Sequence, residues 1–137
     1  MQKNDINKKI LWIEDSTYPL QSLVKPLEER GYRISYATTE KDALDALLYD
    51  VFDLILLDII LPTGSDSGDF YEYVGVRLAD EIINVRKIST PIIVISVVNN
   101  PDVINKLENL GIDNILQKGY ILPSRLVKVV EDILYLR

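Results

Sequence analysis

Residues 52–62 read FDLILLDIILP, an apolar run that ends at Asp58 and closes with Pro62. A short and continuous apolar run predicts a strand that is buried on both faces, here Phe52–Leu57. Asp58 then follows directly after the strand, at the position where parallel α/β proteins carry their ligand-binding residues. This stretch therefore predicts the class of fold and a first candidate functional residue together.

The rest of the chain repeats this alternation of short apolar runs and longer amphipathic segments. Four further strands are predicted at Lys9–Ile13, Tyr32–Ala37, Pro91–Ile95 and Asn114–Gln117. Five helices are predicted over residues 18–30, 39–49, 76–86, 101–110 and 123–136. Strands and helices that alternate in this way predict a doubly wound parallel sheet in a three-layer α/β/α domain.

Local signals predict where several helices begin and end. Thr38 or Thr39 can cap the second helix. The residues of that helix expected to face the core are Ala43, Leu44, Leu47 and Leu48. Gly31 and Gly111 follow the first and fourth helices, and glycine is the preferred residue just beyond a helix end.

Composition excludes several classes of function. The 137-residue chain contains no cysteine and no histidine, so disulfides, thiol nucleophiles and histidine-ligated metals are excluded. Its net charge of −6 argues against a general nucleic-acid binder. The polar lead of residues 1–8 lacks a signal-peptide core, and the apolar runs are too short to span a bilayer. We expect a cytoplasmic protein without membrane insertion, with residues 1–137 forming a single domain.

Polar residues follow four of the five predicted strands. They are Glu14, Asp15, Asp58, Ser96 and Lys118. Each of them alone is most simply a helix cap or a solvated strand end. Because the carboxyl ends of parallel strands meet at one edge of the sheet, however, these side chains are expected to converge.

Such a group suits phosphoryl chemistry. Carboxylates held close together repel one another, and a hard divalent cation relieves that repulsion. Oxygen ligands with few carboxylates suit Mg²⁺, which also neutralises the charge of a transferring phosphoryl group. A carboxylate can act as the nucleophile and form an aspartyl phosphate, while an ammonium and a hydroxyl group contact other phosphoryl oxygens.

The chain resembles the CheY-like receiver domains of two-component response regulators. The motifs that carry the resemblance are IEDS at residues 13–16, LDIILP at 57–62, ISV at 95–97 and QK at 117–118. The resemblance extends from about Lys9 to Leu136. It implies a flavodoxin-like fold with strand order 2-1-3-4-5, and a stand-alone receiver that acts in two-component signal transduction.

The resemblance also implies a role for each polar residue at the strand ends. Asp58 corresponds to the phosphoacceptor, Ser96 to the switch hydroxyl and Lys118 to the lysine that contacts the phosphoryl group. The implied Mg²⁺ ligands are Asp15, Glu14 (mainly through water), Asp58 and the backbone carbonyl of Ile60.

By the same resemblance the chain is a signalling protein rather than a turnover enzyme. The implied phosphodonor is a histidine kinase or a phosphotransfer protein, which supplies the histidine that this chain lacks. The implied output is a contact with an unknown protein target, without direct nucleic-acid binding. A monomer or a weak homodimer is expected.

The chain departs from the family pattern at four places. Gly119 replaces the proline that usually follows the lysine, and because a non-proline cis bond costs about 2.5–4 kcal/mol, a trans and differently shaped loop is expected. Ile115 replaces an aromatic switch residue, for which Tyr120 could substitute. The loop at residues 63–75 is longer than usual and is either a solvated insertion or a partner-binding loop. Ile60 is an apolar residue beside the acceptor and predicts slow loss of phosphate.

Three other functions remain open from the residues alone. A receiver-like binding module that is never phosphorylated is the main alternative. An aspartate-nucleophile phosphohydrolase is disfavoured, because it would carry a general acid where Ile60 stands. An FMN-binding flavodoxin is disfavoured because Glu14 and Asp15 would repel a phosphate after the first strand.

Overall fold

The strands form one parallel sheet in a computed structural model that describes residues 7–17, 20–64 and 73–135. They are β1 (Lys9–Ile13), β2 (Arg33–Ala37), β3 (Leu54–Leu57), β4 (Ile92–Ser96) and β5 (Asn114–Gln117). Their order in the sheet is β2-β1-β3-β4-β5, and each neighbouring pair is parallel. This order confirms the predicted flavodoxin-like fold.

In the part of the chain that the structure describes, five helices connect or follow the strands. They are α1 (Gln21–Glu29), α2 (Glu40–Tyr49), α3 (Val74–Asp80), which continues as a π-helical turn over Glu81–Val85, α4 (Pro101–Asn109) and α5 (Pro123–Tyr135). The Thr39 hydroxyl accepts a hydrogen bond from the Asp42 N–H at 3.0 Å and so provides the predicted cap of α2. Gly31 and Gly111 have φ values of +102° and +92° just beyond α1 and α4, as predicted. No helix in the described ranges has the length and apolar character needed to cross a membrane.

The helices cover the two faces of the sheet in separate layers. Buried residues of α1 and α5 pack with Ile10 and Trp12 on one face. Buried residues of α2, α3 and α4 pack with Leu11 and Ile13 on the other face. Successive side chains of a strand point to opposite faces, so the continuous apolar runs of the sequence supply both cores.

The central strand carries the chain to the edge where the predicted site lies. All four residues of β3 are fully buried, and β3 lies between β1 and β4. Hydrogen bonding continues one residue past the strands, since the Asp58 N–H donates to the Ile13 carbonyl and the Glu14 N–H donates to the Ala37 carbonyl, both at 2.9 Å. The backbones of both acids are therefore fixed by the sheet itself.

The structure corrects several boundaries. Leu48, predicted to face the core, is 64% exposed, because α2 packs only a narrow stripe that includes Ala43, Leu44 and Leu47. The third helix begins at Val74 rather than at residue 76, so Gly75 is helical and not part of the loop. Ser96 is the last residue of β4 rather than the residue after it. The predicted helical positions 18, 19 and 136 lie outside the described residues.

Candidate functional site

Three carboxylates meet at the carboxyl edge of the sheet. Glu14, Asp15 and Asp58 each offer an oxygen atom, and these oxygens lie within 4.8 Å of one another. Glu14 is 1% exposed and Asp58 is 4% exposed, whereas Asp15 lies in the exposed turn after β1. The structure therefore brings together the three acids that the sequence predicts to converge.

A single ammonium group lies between two of these carboxylates. Lys118 Nζ is 2.7 Å from Glu14 Oε2 and 3.0 Å from Asp58 Oδ2. Unpaired charges at this depth would be costly, because burial removes the water that stabilises them. Lys118 reaches the site from the end of β5, as the strand-end pattern predicts, and partly compensates both buried acids.

The close packing shifts the titration of two groups. Burial raises the pKa of Glu14 to about 7, with the hydrogen bond from Lys118 opposing the shift and the charge of Asp58 adding to it. Burial alone would lower the pKa of Lys118, but its hydrogen bonds and charge contacts with Glu14 and Asp58 outweigh burial and raise it. Lys118 is therefore positively charged at neutral pH, and Glu14 exchanges its proton near neutral pH.

The start of α3 rests directly on the backbone that carries Asp58. The Gly75 N–H donates to the Ile59 carbonyl at 2.8 Å. In the peptide unit that contains this carbonyl, the Ile60 N–H donates to Asp58 Oδ1 at 3.4 Å. A Cβ atom at Gly75 would lie 2.4 Å from the Asp58 carbonyl oxygen. Only glycine permits this approach, so Gly75 holds the backbone beside the acceptor candidate in place.

Gly75 is a positioning residue that the sequence analysis missed. The prediction assigned it to the loop because it ends the polar, glycine-punctuated stretch at residues 63–75. The helical stripe that begins at the next residue, Val76, was the signal that α3 could start earlier and that its first turn needed a residue without a side chain.

The predicted switch hydroxyl lies at the same edge. Ser96 is 1% exposed, and its Oγ accepts a hydrogen bond from the Val98 N–H at 3.2 Å. The Lys118 N–H donates to the Ser96 carbonyl at 2.9 Å, which ties the ends of β4 and β5 together. Within the described residues no hydrogen bond joins Ser96 to Asp58, so the hydroxyl is engaged within its own loop.

The departures from the family pattern have definite structural consequences. No cis peptide bond occurs in the described ranges, and Gly119 has a φ of +90°, so a left-handed glycine shapes the turn after Lys118. Ile115 packs against the core, and Tyr120 is 88% exposed, which leaves the aromatic ring in solvent. Of the loop at 63–75, residues 65–72 with their acids Asp66, Asp69 and Glu72 lie outside the described residues, so its role stays a prediction.

The donor set at this edge fits a hard divalent cation. The carboxylates of Glu14, Asp15 and Asp58 supply only oxygen, and the carbonyl of Ile60 follows on the same chain segment. Mg²⁺ prefers oxygen ligands, takes few of them from protein and keeps several waters. The exposure of Asp15 leaves the cluster open to solvent on one side, where waters and a phosphoryl group could complete the coordination.

Known proteins are similar to this chain in sequence. The chain is 31% identical over 115 residues to the transcriptional regulatory protein CrdR of Helicobacter pylori, and 32% identical over 126 residues to the nisin biosynthesis regulatory protein NisR of Lactococcus lactis. These alignments cover 84% and 91% of this chain and 50% of each relative. The chain therefore spans about half the length of the curated relatives that it matches.

Solved structures agree with these relatives. A two-component response regulator from Clostridium difficile is 32% identical with a TM-score of 0.75, and covers 93% of this chain and 95% of its own. A CheY-like receiver domain from Methanospirillum hungatei is 25% identical with a TM-score of 0.77, and covers 93% of both chains. The family model of the response regulator receiver domain matches residues 10–131. With this fold and this acid cluster, the chain belongs to the response regulator receiver family of two-component signal transduction.

Proposed function

We propose that this receiver accepts a phosphoryl group on Asp58 from a histidine kinase or a phosphotransfer protein, in a reaction that requires Mg²⁺. One observation carries the proposal: the Lys118 ammonium lies within 3.0 Å of both the Asp58 and the Glu14 carboxylates, beside a third carboxylate, that of Asp15. A structural ion pair would need only one acid. Two buried acids that share one lysine, beside a third acid at the solvent edge, are instead suited to holding a divalent cation next to a phosphoryl group.

The transfer follows from the chemistry of the acceptor. A carboxylate oxygen of Asp58 forms the new P–O bond while the P–N bond to the donor imidazole breaks, and the bonding electrons return to the donor ring. Lys118, already beside Asp58, balances charge on the phosphoryl oxygens. Ser96 lies at the end of the neighbouring strand and would donate its hydroxyl proton to another phosphoryl oxygen.

The metal would be held by the residues that converge at this edge. These are Glu14, Asp15, Asp58 and the Ile60 carbonyl. When bound, Mg²⁺ supplies charge neutralisation and orientation for the phosphoryl group. Because Glu14 has a pKa of about 7, the proton that it carries competes with the cation below neutral pH.

The signal would leave through a change in protein contacts rather than through a released product. We place the protein in the cytoplasm, where its phosphodonor would act, and we treat it as a signalling protein rather than a turnover enzyme. CrdR and NisR are named as regulatory proteins, and this chain matches half of each. The target of this chain would be a protein that recognises the phosphorylated receiver.

Intact-mass spectrometry after incubation with acetyl phosphate tests the proposal. The native protein, Asp58→Asn and Asp53→Asn are compared with and without Mg²⁺. Asp53 is the matched control, because it directly precedes the strand that Asp58 follows, and it accepts a hydrogen bond from the Lys9 N–H at the opposite edge of the sheet. We expect one phosphoryl adduct in the native protein and in Asp53→Asn, only with Mg²⁺, and none in Asp58→Asn.

Two results would contradict the proposal. An adduct that persists in Asp58→Asn would place the phosphoryl group elsewhere. Absence of an adduct from folded native protein at saturating Mg²⁺ would favour a receiver-like binding module that is not phosphorylated.

A further inference from the structure

We propose that Gln117 is a positioning residue that holds the Ser96–Val98 segment in its resting arrangement and thereby restrains phosphorylation of Asp58. The inference rests on the proposed function, because it concerns the hydroxyl that would contact the phosphoryl group. It assigns a role to a side chain that lies next to Lys118 but does not touch the acids.

Two hydrogen bonds connect the end of β5 to this segment, and a third lies within the segment. Gln117 Nε2 donates to the Val98 carbonyl at 3.1 Å. The Val98 N–H donates to Ser96 Oγ at 3.2 Å, and the Lys118 N–H donates to the Ser96 carbonyl at 2.9 Å. Ser96 and Gln117 are also paired in register across the two strands. The amide of Gln117 therefore closes a ring of contacts that includes the switch hydroxyl.

The ring opposes the movement that phosphorylation would require. To reach a phosphoryl group on Asp58, Ser96 Oγ must either leave the Val98 N–H or carry Val98 with it. The bond from Gln117 holds the Val98 carbonyl against β5, so Val98 cannot follow while that bond persists. The first route breaks the bond between the Val98 N–H and Ser96 Oγ, and the second breaks the bond from Gln117. The bond from Gln117 thus stabilises the resting arrangement relative to an engaged one in which Val98 moves with Ser96.

This link comes from Gln117 alone among the described side chains of β5. Ile115, two residues earlier, packs against the core and has no polar side-chain atom. Asn114 lies at the far end of the strand and makes no side-chain hydrogen bond in the described part of the chain. A substitution at Gln117 alone therefore removes the side-chain hydrogen bond from β5 to the Ser96–Val98 segment.

The expected effect is that of one neutral hydrogen bond. Its net contribution corresponds to about a two- to tenfold change in the equilibrium between the resting and engaged arrangements. Removing it should favour the engaged arrangement. The initial rate of phosphorylation by acetyl phosphate at saturating Mg²⁺ should then rise by about two- to tenfold.

The test compares Gln117→Met with native protein, by intact mass over time, in the native background and in Ser96→Ala. Methionine keeps the length of the side chain and removes the donor, and Gln117→Leu serves as a second variant if Met disturbs the fold. We expect Gln117→Met to raise the initial rate of phosphorylation in the native background but not in the Ser96→Ala background, because alanine has no hydroxyl to release. Asn114→Leu, an amide removed from the same strand at the opposite edge, should leave the rate unchanged.

Hydrogen exchange at the Val98 amide supplies a readout independent of phosphorylation, and it should be faster in Gln117→Met than in native protein. An unchanged rate in Gln117→Met, or an equal gain in the Ser96→Ala background, would overturn the role of Gln117 while native phosphorylation still supports the proposed function. Native protein that takes no phosphoryl group would instead overturn the proposed function and with it any role of Gln117 in the reaction.

Discussion

The two edges of the sheet carry similar residue types in opposite surroundings. At the carboxyl edge Lys118 pairs with the side chains of Glu14 and Asp58, which are 2% and 4% exposed. At the amino edge Lys9 pairs with Asp50, and these two side chains are 32% and 46% exposed. One lysine therefore lies inside a buried cluster of acids, and the other lies on the surface.

The difference shows where the fold accepts an energetic cost. Exposed ion pairs contribute little, about 0–1 kcal/mol, because water screens them. Buried charges lose their hydration, and their mutual attraction often fails to offset that loss. Two buried acids that share one lysine are thus poor evidence for stability and better evidence for a site that must handle charge.

Removing the lysine of each edge should give the largest difference in stability between the two edges. Lys118→Met leaves two buried carboxylates without their cation, and we expect a loss of about 3 kcal/mol in the free energy of unfolding at pH 8. Lys9→Met should cost less than about 1 kcal/mol. Urea unfolding in the absence of divalent cations measures both values. Equal losses would show that burial does not distinguish the two lysines.

Glycine substitutions should give the next largest contrast. Gly75→Ala at the carboxyl edge forces a Cβ atom against the backbone of Asp58 and Ile59, and we expect a loss of about 2–3 kcal/mol. Gly111→Ala, before β5 at the amino edge, meets no atom within 4 Å and should cost about 1 kcal/mol through its positive φ alone. A Gly111→Ala variant that is less stable than Gly75→Ala in urea would contradict the close approach of α3.

The pH dependence of stability should differ in sign between the edges. Burial raises the pKa of Glu14 from 4.5 to about 7, so the folded state binds this proton more tightly than the unfolded state does. The contribution of Glu14 to stability therefore falls as pH rises from 4.5 to about 7. As pH rises from 4.5 to 7.5, the free energy of unfolding of Glu14→Gln should therefore increase by roughly 1–3 kcal/mol relative to that of native protein.

Asp50 is the matched control for this measurement. Its hydrogen bond from Lys9 lowers its pKa, so its contribution is present at neutral pH and is lost as pH falls. Asp50→Asn should consequently lose stability relative to native protein at neutral pH and less at acid pH. Parallel pH profiles for Glu14→Gln and native protein would argue against a raised pKa for Glu14.

The smallest expected effect concerns the lifetime of the phosphoryl group. Ile60 is 45% exposed beside Asp58, and its apolar side chain offers no hydrogen bond to an attacking water. Ile60→Asn should shorten the phosphate half-life by roughly fivefold, the value of one hydrogen bond to that water. Val51→Asn, an exposed apolar residue at the amino edge, should leave the half-life unchanged. An unchanged or longer half-life in Ile60→Asn would remove this role.

The fold and the converging residues were predictable from the sequence because periodicity and topology determine them. The bounds of β1 and β5 match the prediction, and a parallel sheet necessarily brings Asp58 and Lys118 to one edge. Even the unusual Lys118-Gly119 turn still delivers the ammonium to the acids.

The remaining features depend on distances that a linear pattern does not contain. Leu48 fits the helical stripe of α2 as well as Leu47 does, yet Leu47 packs against the core and Leu48 is exposed. Gly75 is required by its contact with the Asp58 backbone, 17 positions earlier in the chain. The side-chain amide of Gln117, in β5, donates to the Val98 carbonyl in the loop after β4. Such contacts between a side chain and a distant backbone leave no periodic signal.

The most direct test of the central claim is to locate the phosphoryl group on the chain. Protein treated with acetyl phosphate and Mg²⁺ is reduced with borohydride, which converts an acyl phosphate into an alcohol, and its peptides are sequenced by tandem mass spectrometry. The account predicts conversion at Asp58, with Asp50 and Asp53 at the opposite edge unmodified. Conversion at Glu14, at Asp15 or at an acid of the amino edge, with Asp58 intact, would contradict it.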